Sequence, residues 1–65
     1  MTIKPGDLVE TLALIREYDK RLQVTEIRTG SVGVVRKVDG IYVTVMFVQP
    51  LYESITSVNQ LKVLA

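Results

Sequence analysis

The chain has no cysteine, no histidine and no tryptophan, and only two prolines. Without thiols or imidazoles it lacks disulfide staples, thiol nucleophiles, imidazole bases and the soft donor sets that hold zinc. No stretch approaches the ~18 apolar residues of a membrane-spanning helix. The opening Met1-Thr2-Ile3-Lys4-Pro5-Gly6-Asp7 has no apolar run of the kind a secretory leader needs, so a cytoplasmic location with no membrane contact is expected. An excess of one charge sign is also missing. Eight Lys/Arg against seven Asp/Glu leave +1, too little for a global field drawing the chain to nucleic acid or an anionic bilayer.

What is present is a high apolar content, 48%, in 65 residues. Residues 1–65 are expected to form a single soluble domain. A chain of this length buries only about 60% of the surface its unfolded form exposes. Its core then supplies about 3–5 kcal/mol of net stability. With disulfides absent and metal ligands of the usual kind lacking, the remaining staple is a partner. Self-association or a protein partner is therefore expected for the surplus apolar surface.

The densest signal runs from Ser31 to Val48. Two runs rich in β-branched residues, Val32 to Val38 and Ile41 to Val48, flank Asp39-Gly40, a pair that favours a type I′ hairpin turn. A two-residue loop there sets Val38 against Ile41, Arg36 against Val43, Val34 against Val45 and Val32 against Phe47, an almost wholly apolar row expected to be buried. The other row holds Gly33, Val35, Lys37, Tyr42, Thr44 and Met46. Arg36 interrupts the buried row, which implies a β-bulge, a strand leaving the core, or an arginine kept for an anion.

Beyond the hairpin, Gln49-Pro50-Leu51-Tyr52 reads as a connection. Residues 53–57 then form a strand, 58–60 a tight turn and 61–64 a closing strand. Lys4-Pro5-Gly6-Asp7 is a turn. Residues 8–22 have two readings. As a helix, Asp7 is the N-cap, Glu10 sits at N3, and Leu8, Leu12, Ile15 and Leu22 lie near one face. As a strand over 7–13, the segment supplies the fifth strand that the others need to close their edges. The strand reading is adopted, with a helical turn allowed after it and Arg16 to Thr29 as a long charged loop.

Taken in order, Pro5-Gly6-Asp7-Leu8-Val9, Gly30-Ser31-Val32-Gly33-Val34-Val35, Val45-Met46-Phe47 and Leu61 resemble the line of the small SH3-like barrels of bacteria and phage. The resemblance covers nearly the whole chain and implies an all-β, five-stranded SH3-like barrel with a long loop between strands 1 and 2. Gly30-x-x-Gly33-x-Val35 also resembles the KOW element of ribosomal and transcription-elongation proteins. Val45-Met46-Phe47, Tyr52 and Asn59 are similar to a stretch of the photosystem I subunit IV-type accessory proteins. Gly30 and Gly33 are expected to permit a sharp turn and a close backbone approach. The peptide-binding SH3 groove is excluded, because there is no Trp and no Ala-Leu-Tyr-Asp-Tyr stretch. The Val-Gln-Ile-Tyr motif of plasmid-type dihydrofolate reductase is absent as well.

No residue set suggests catalysis, a metal or a cofactor. Asp7 and Glu10 serve a turn or cap more naturally than a carboxylate pair, and Asp39 belongs to its turn. Glu17 and Asp19 sit among Arg16, Lys20 and Arg21 as a solvated charged loop. Gly30 to Gly33 is not followed by the Lys-Ser/Thr of a phosphate loop. A non-enzymatic binding module is expected. Its protein-interaction stripe comprises Val35, Tyr42 and Met46, bordered by Lys37, unless the loop over 14–29 folds back to cover it. The alternative is an RNA- or DNA-binding module of KOW type. It uses Arg16, Lys20, Arg21, Arg28, Arg36 and Lys37, six bases against three acids between residues 16 and 37, with Tyr18 or Tyr42 for stacking.

Overall fold

The computed structural model describes residues 2–49 and 51–65; Met1 and Pro50, the latter expected in the connection after the hairpin, lie outside the described residues. The chain is all-β. Its strands are β1 (Leu8–Thr11), β2 (Ile15–Tyr18), β3 (Val24–Ile27), β4 (Val32–Asp39), β5 (Tyr42–Val48), β6 (Leu51–Ser57) and β7 (Leu61–Val63), with a 3-10 turn at Val58–Gln60. They form a five-stranded sheet in the order β6-β5-β4-β1-β7 and a two-stranded ribbon, β2-β3. The expected count of five strands is corrected to seven, and the sheet does not close into a barrel: β6 and β7 are its two edges. No helix among the described residues is long and apolar enough to cross a membrane.

The supposed long loop is the ribbon. Arg16 pairs with Glu26 and Glu17 with Thr25 across it, and the Arg16 guanidinium donates to Glu26 at 2.8 Å. Asp19 makes its turn, accepting from the amides of Arg21 at 2.8 Å and Gln23 at 2.9 Å. Such a side-chain cap lets Leu22 take a φ of 61° that leucine otherwise avoids. No helical turn follows β1; residues 12 and 13 bend directly into β2. The helical reading of 8–22 fails because β1 pairs on both sides, with β4 and with β7. Two ladders outweigh a weak local periodicity. The Lys4-to-Asp7 turn is present, closed by Asp7 N–H to the Lys4 carbonyl at 3.1 Å with Gly6 at φ 94°.

The β4–β5 hairpin is present with its turn one residue later than expected. Asp39 pairs with Tyr42, so the loop is Gly40-Ile41. Gly40 alone has positive φ, at 62°, which is the signature of a type II′ turn rather than type I′. This later turn shifts the pairing by two positions and so leaves the faces as expected, with Val38 opposite Val43. The register then shifts by one between Val35 and Lys37, and a one-residue slip moves a strand's side chains to the opposite face. Along β4 the buried residues beyond that shift are therefore Gly33 and Val35, opposite Phe47 and Val45, and not Val32 and Val34. Arg36 is the extra residue of a β-bulge, as one reading of the sequence had it, and its side chain is exposed.

Val9, Val35, Val43, Val45, Phe47 and Leu61 form the core on the inner side of the sheet, with Ile27 of the ribbon buried among them and Ile15 packed against them. Gly33 permits this packing. A Cβ there would lie 2.5 Å from Val45 Cγ1, 2.8 Å from the Met46 carbonyl oxygen and 3.0 Å from the Phe47 ring, so β5 itself occupies the space a side chain would take. Gly30, at φ 87°, supplies the turn before β4.

Candidate interaction surface

Alternation along the paired strands sorts side chains into an inner and an outer set. On β5 the inner set is Val43, Val45 and Phe47, all fully buried. The register carries those positions to Thr56, Ser54 and Tyr52 on β6. The inner side of β6 is thus polar, and its outer side carries Leu51 and Ile55, 77% and 68% exposed. The strand is inverted relative to the pattern hydrophobicity predicts.

Glu17 explains the inversion. Its carboxylate reaches from β2 over the sheet and accepts from the Tyr52 hydroxyl at 2.8 Å and from the Ser54 hydroxyl. The hydroxyls of Ser54 and Thr56 lie 3.3 Å apart. No buried side-chain polar atom among the described residues lacks a partner. Buried hydroxyls tolerate this position because a carboxylate satisfies them. The Tyr52 phenol titrates above its ordinary value, first because its proton is held by Glu17, then through burial and the negative charges of Glu17 and Asp19.

The outer side is continuous across three strands. Thr44 pairs with Ile55 and with Lys37, and Met46 pairs with Glu53 and with Val34. Val34 in turn pairs with Leu8 of β1. Tyr42, Val48, Leu51 and Ile55 are exposed, as are Leu8 and Val32, while Met46 and Val34 are half-buried. Glu53, Lys37 and Asp39, the last opposite Tyr42, are the charges on the outer side of this stretch of β4–β6.

Of the stripe expected from sequence, Lys37, Tyr42 and Met46 lie on this outer side. Val35 does not: it is 1% exposed and belongs to the core, a direct consequence of the register shift at Arg36. The ribbon does fold back, but onto the inner side, so it leaves Tyr42 and Met46 uncovered. Sequence reasoning missed Ile55, Leu51, Val48 and Val34. The alternation of Leu51, Glu53 and Ile55 with Tyr52, Ser54 and Thr56 was visible, yet nothing local said which set faced inward.

The basic residues do not converge on one site. Arg16 is paired with Glu26 on the ribbon. Lys20 and Arg21 lie at the ribbon's turn, and Arg36 and Lys37 sit together at the β4 bulge. Arg28 lines a shallow groove of about 670 Å³ that also carries Glu26 and Gln49. Among the described residues no group of His, Cys, Asp and Glu is arranged to hold a metal. Comparison of the chain with protein-family models, with curated proteins and with solved structures finds no significant match, so the surface itself carries the functional reading.

Proposed function

We propose that the chain is a non-enzymatic, cytoplasmic protein-interaction module of SH3-like kind, docking a protein surface on the outer side of β4–β6. The β4–β5–β6 meander, the 3-10 turn and the return of β7 beside β1 support the SH3-like reading, with the ribbon in the place of the long loop. The single observation that carries the interaction reading is the outward placement of Ile55, Leu51, Tyr42 and Met46 on a sheet whose core is already filled from the other side. Methionine, tyrosine and aliphatic side chains with few charges among them suit the centre of a protein interface.

The test is the solution mass of the wild-type chain and of a Met46→Asp/Ile55→Asp variant across a concentration series, with and without a mixed RNA/DNA oligonucleotide pool. The reading expects concentration-dependent association that the variant loses with its fold retained. A monomer whose mass shifts only with oligonucleotide, less at high salt and not after Arg36→Glu/Lys37→Glu, would instead establish the KOW-type alternative. The adjacent, exposed Arg36 and Lys37 favour that alternative; the scatter of the other bases opposes it.

A further inference from the structure

We propose that the partner is a second copy of this chain, joined edge to edge through β6 in an antiparallel pair centred on Ser54. This rests on the interaction reading above and adds to it the occupant and the geometry.

The hydrogen-bond ladder supplies the argument. The Val58 N–H donates to the Ile41 carbonyl at 2.8 Å. In an antiparallel ladder bonded and non-bonded pairs alternate. The β5–β6 register therefore makes Thr56/Val43, Ser54/Val45 and Tyr52/Phe47 the bonded pairs. The backbone N–H and C=O groups of Leu51, Glu53, Ile55 and Ser57 then point away from β5. β6 is a sheet edge, and among the described residues these groups have no partner strand, the Ser57 carbonyl alone being engaged by the 3-10 turn that Ser57 caps. A seven-residue edge of this kind is a template for another strand.

The outward-facing residues are symmetric about Ser54, at one and three positions on either side. An antiparallel pair of β6 strands about a two-fold axis at Ser54 consequently gives a strand partner to the outward groups of Leu51, Glu53 and Ile55 and to the Ser57 N–H on both strands. Leu51 then faces Ser57 of the second copy, and Glu53 faces its Ile55. A shift of the axis to Glu53 would oppose two carboxylates, and a shift to Ile55 would leave Leu51 without its Ser57 partner. In the Ser54 register each Ile55 is diagonal to Leu51 and Ile55 of the other copy, close enough for side-chain contact. The near-zero net charge of +1 presents no barrier to two copies meeting. Edge defences are sparse: Glu53 is the one charged residue of β6. The result is a continuous sheet in which the two outer surfaces adjoin, while the Glu17–Tyr52–Ser54 contacts on the inner side are left in place.

The decisive experiment is amide hydrogen exchange by NMR on the full chain at several concentrations, read beside the solution mass. The amides of Tyr52, Ser54 and Thr56 are expected to be slow throughout. Those of Leu51, Glu53, Ile55 and Ser57 should gain protection in step with the rise in mass. Ile55→Asp places a carboxylate opposite each Glu53 and should weaken association by about tenfold. Glu53→Pro removes only an outward N–H, so it should abolish the pair while sparing the β5 ladder; should that variant not fold, the wild-type exchange pattern still decides. Association without protection at Glu53 and Ile55 overturns the edge pairing and leaves the outer-side reading standing. A chain that stays monomeric at every concentration overturns the second copy as partner.

Discussion

Strands β5 and β6 are neighbours in one sheet, yet they face the core with opposite chemistry. β5 buries Val43, Val45 and Phe47; β6 buries Ser54 and Thr56 and half-buries Tyr52. What separates them is the group that lies above each. β5 is an interior strand of the sheet, and its inner side chains share the apolar core with Ile27 of the ribbon and Val35 of β4. β6 lies where the ribbon presents the Glu17 carboxylate. A buried hydroxyl beside an acceptor costs little, so β6 needs no apolar inner row. Its Leu51 and Ile55 are thereby left on the outside, where the fold does not use them.

The comparison makes a ranked set of expectations. The largest effect belongs to the apolar inner side. Phe47→Ala should lose about 3–5 kcal/mol, comparable with the whole stability of so small a core, and chemical denaturation should show the variant largely unfolded without denaturant. Next comes the polar inner side. Glu17→Ala leaves buried Ser54 with only Thr56 for company, and should lower the unfolding free energy by about 1–3 kcal/mol. If that variant were as stable as wild type, the carboxylate would not be what makes the polar row of β6 tolerable.

A smaller and pH-specific effect follows from Tyr52. In the unfolded chain the phenol ionises near 10.0, and in the folded chain its pKa is raised. The folded state therefore favours the neutral, proton-donating form. The corresponding stability is fully present below pH 10 and is lost as pH rises through the raised folded value. Urea midpoints measured between about pH 9 and about pH 11 should fall for wild type and fall less for Tyr52→Phe. Equal slopes would separate Tyr52 from Glu17 in solution.

Much of the fold was legible because strong local chemistry and tertiary packing agreed. Lys4-Pro5-Gly6-Asp7 is a turn, the two β-branched runs are paired strands, Arg36 is a bulge, and Gly33 sits where another backbone comes close. The phase of β4 was misread because the expected pairing ran through Arg36 without a break: Asp39-Gly40 and Gly40-Ile41 are both chemically sound two-residue loops that keep the same faces, whereas the one-residue register shift at Arg36 flips them. That bulge moved Val35 from surface to core. The ribbon was read as loop because its strands are four residues each and heavily charged, and Arg16 and Glu26 find each other only after the turn at Asp19 has formed. The inversion of β6 was hidden for a different reason: its cause, Glu17, lies 35 residues from Tyr52 in sequence.

The most direct measurement of the central claim compares the two sides of β6 in one experiment. Leu51→Ser/Ile55→Ser and Ser54→Ala/Thr56→Ala would be unfolded by denaturant at a concentration low enough to keep the chains monomeric. The outer variant should stay within about 0.5 kcal/mol of wild type, as expected of surface positions, whereas the inner variant, which leaves the Glu17 carboxylate short of donors, should lose more. If instead the outer variant unfolds and the inner one is neutral, Leu51 and Ile55 belong to the core, and the interaction surface proposed on β6 does not exist.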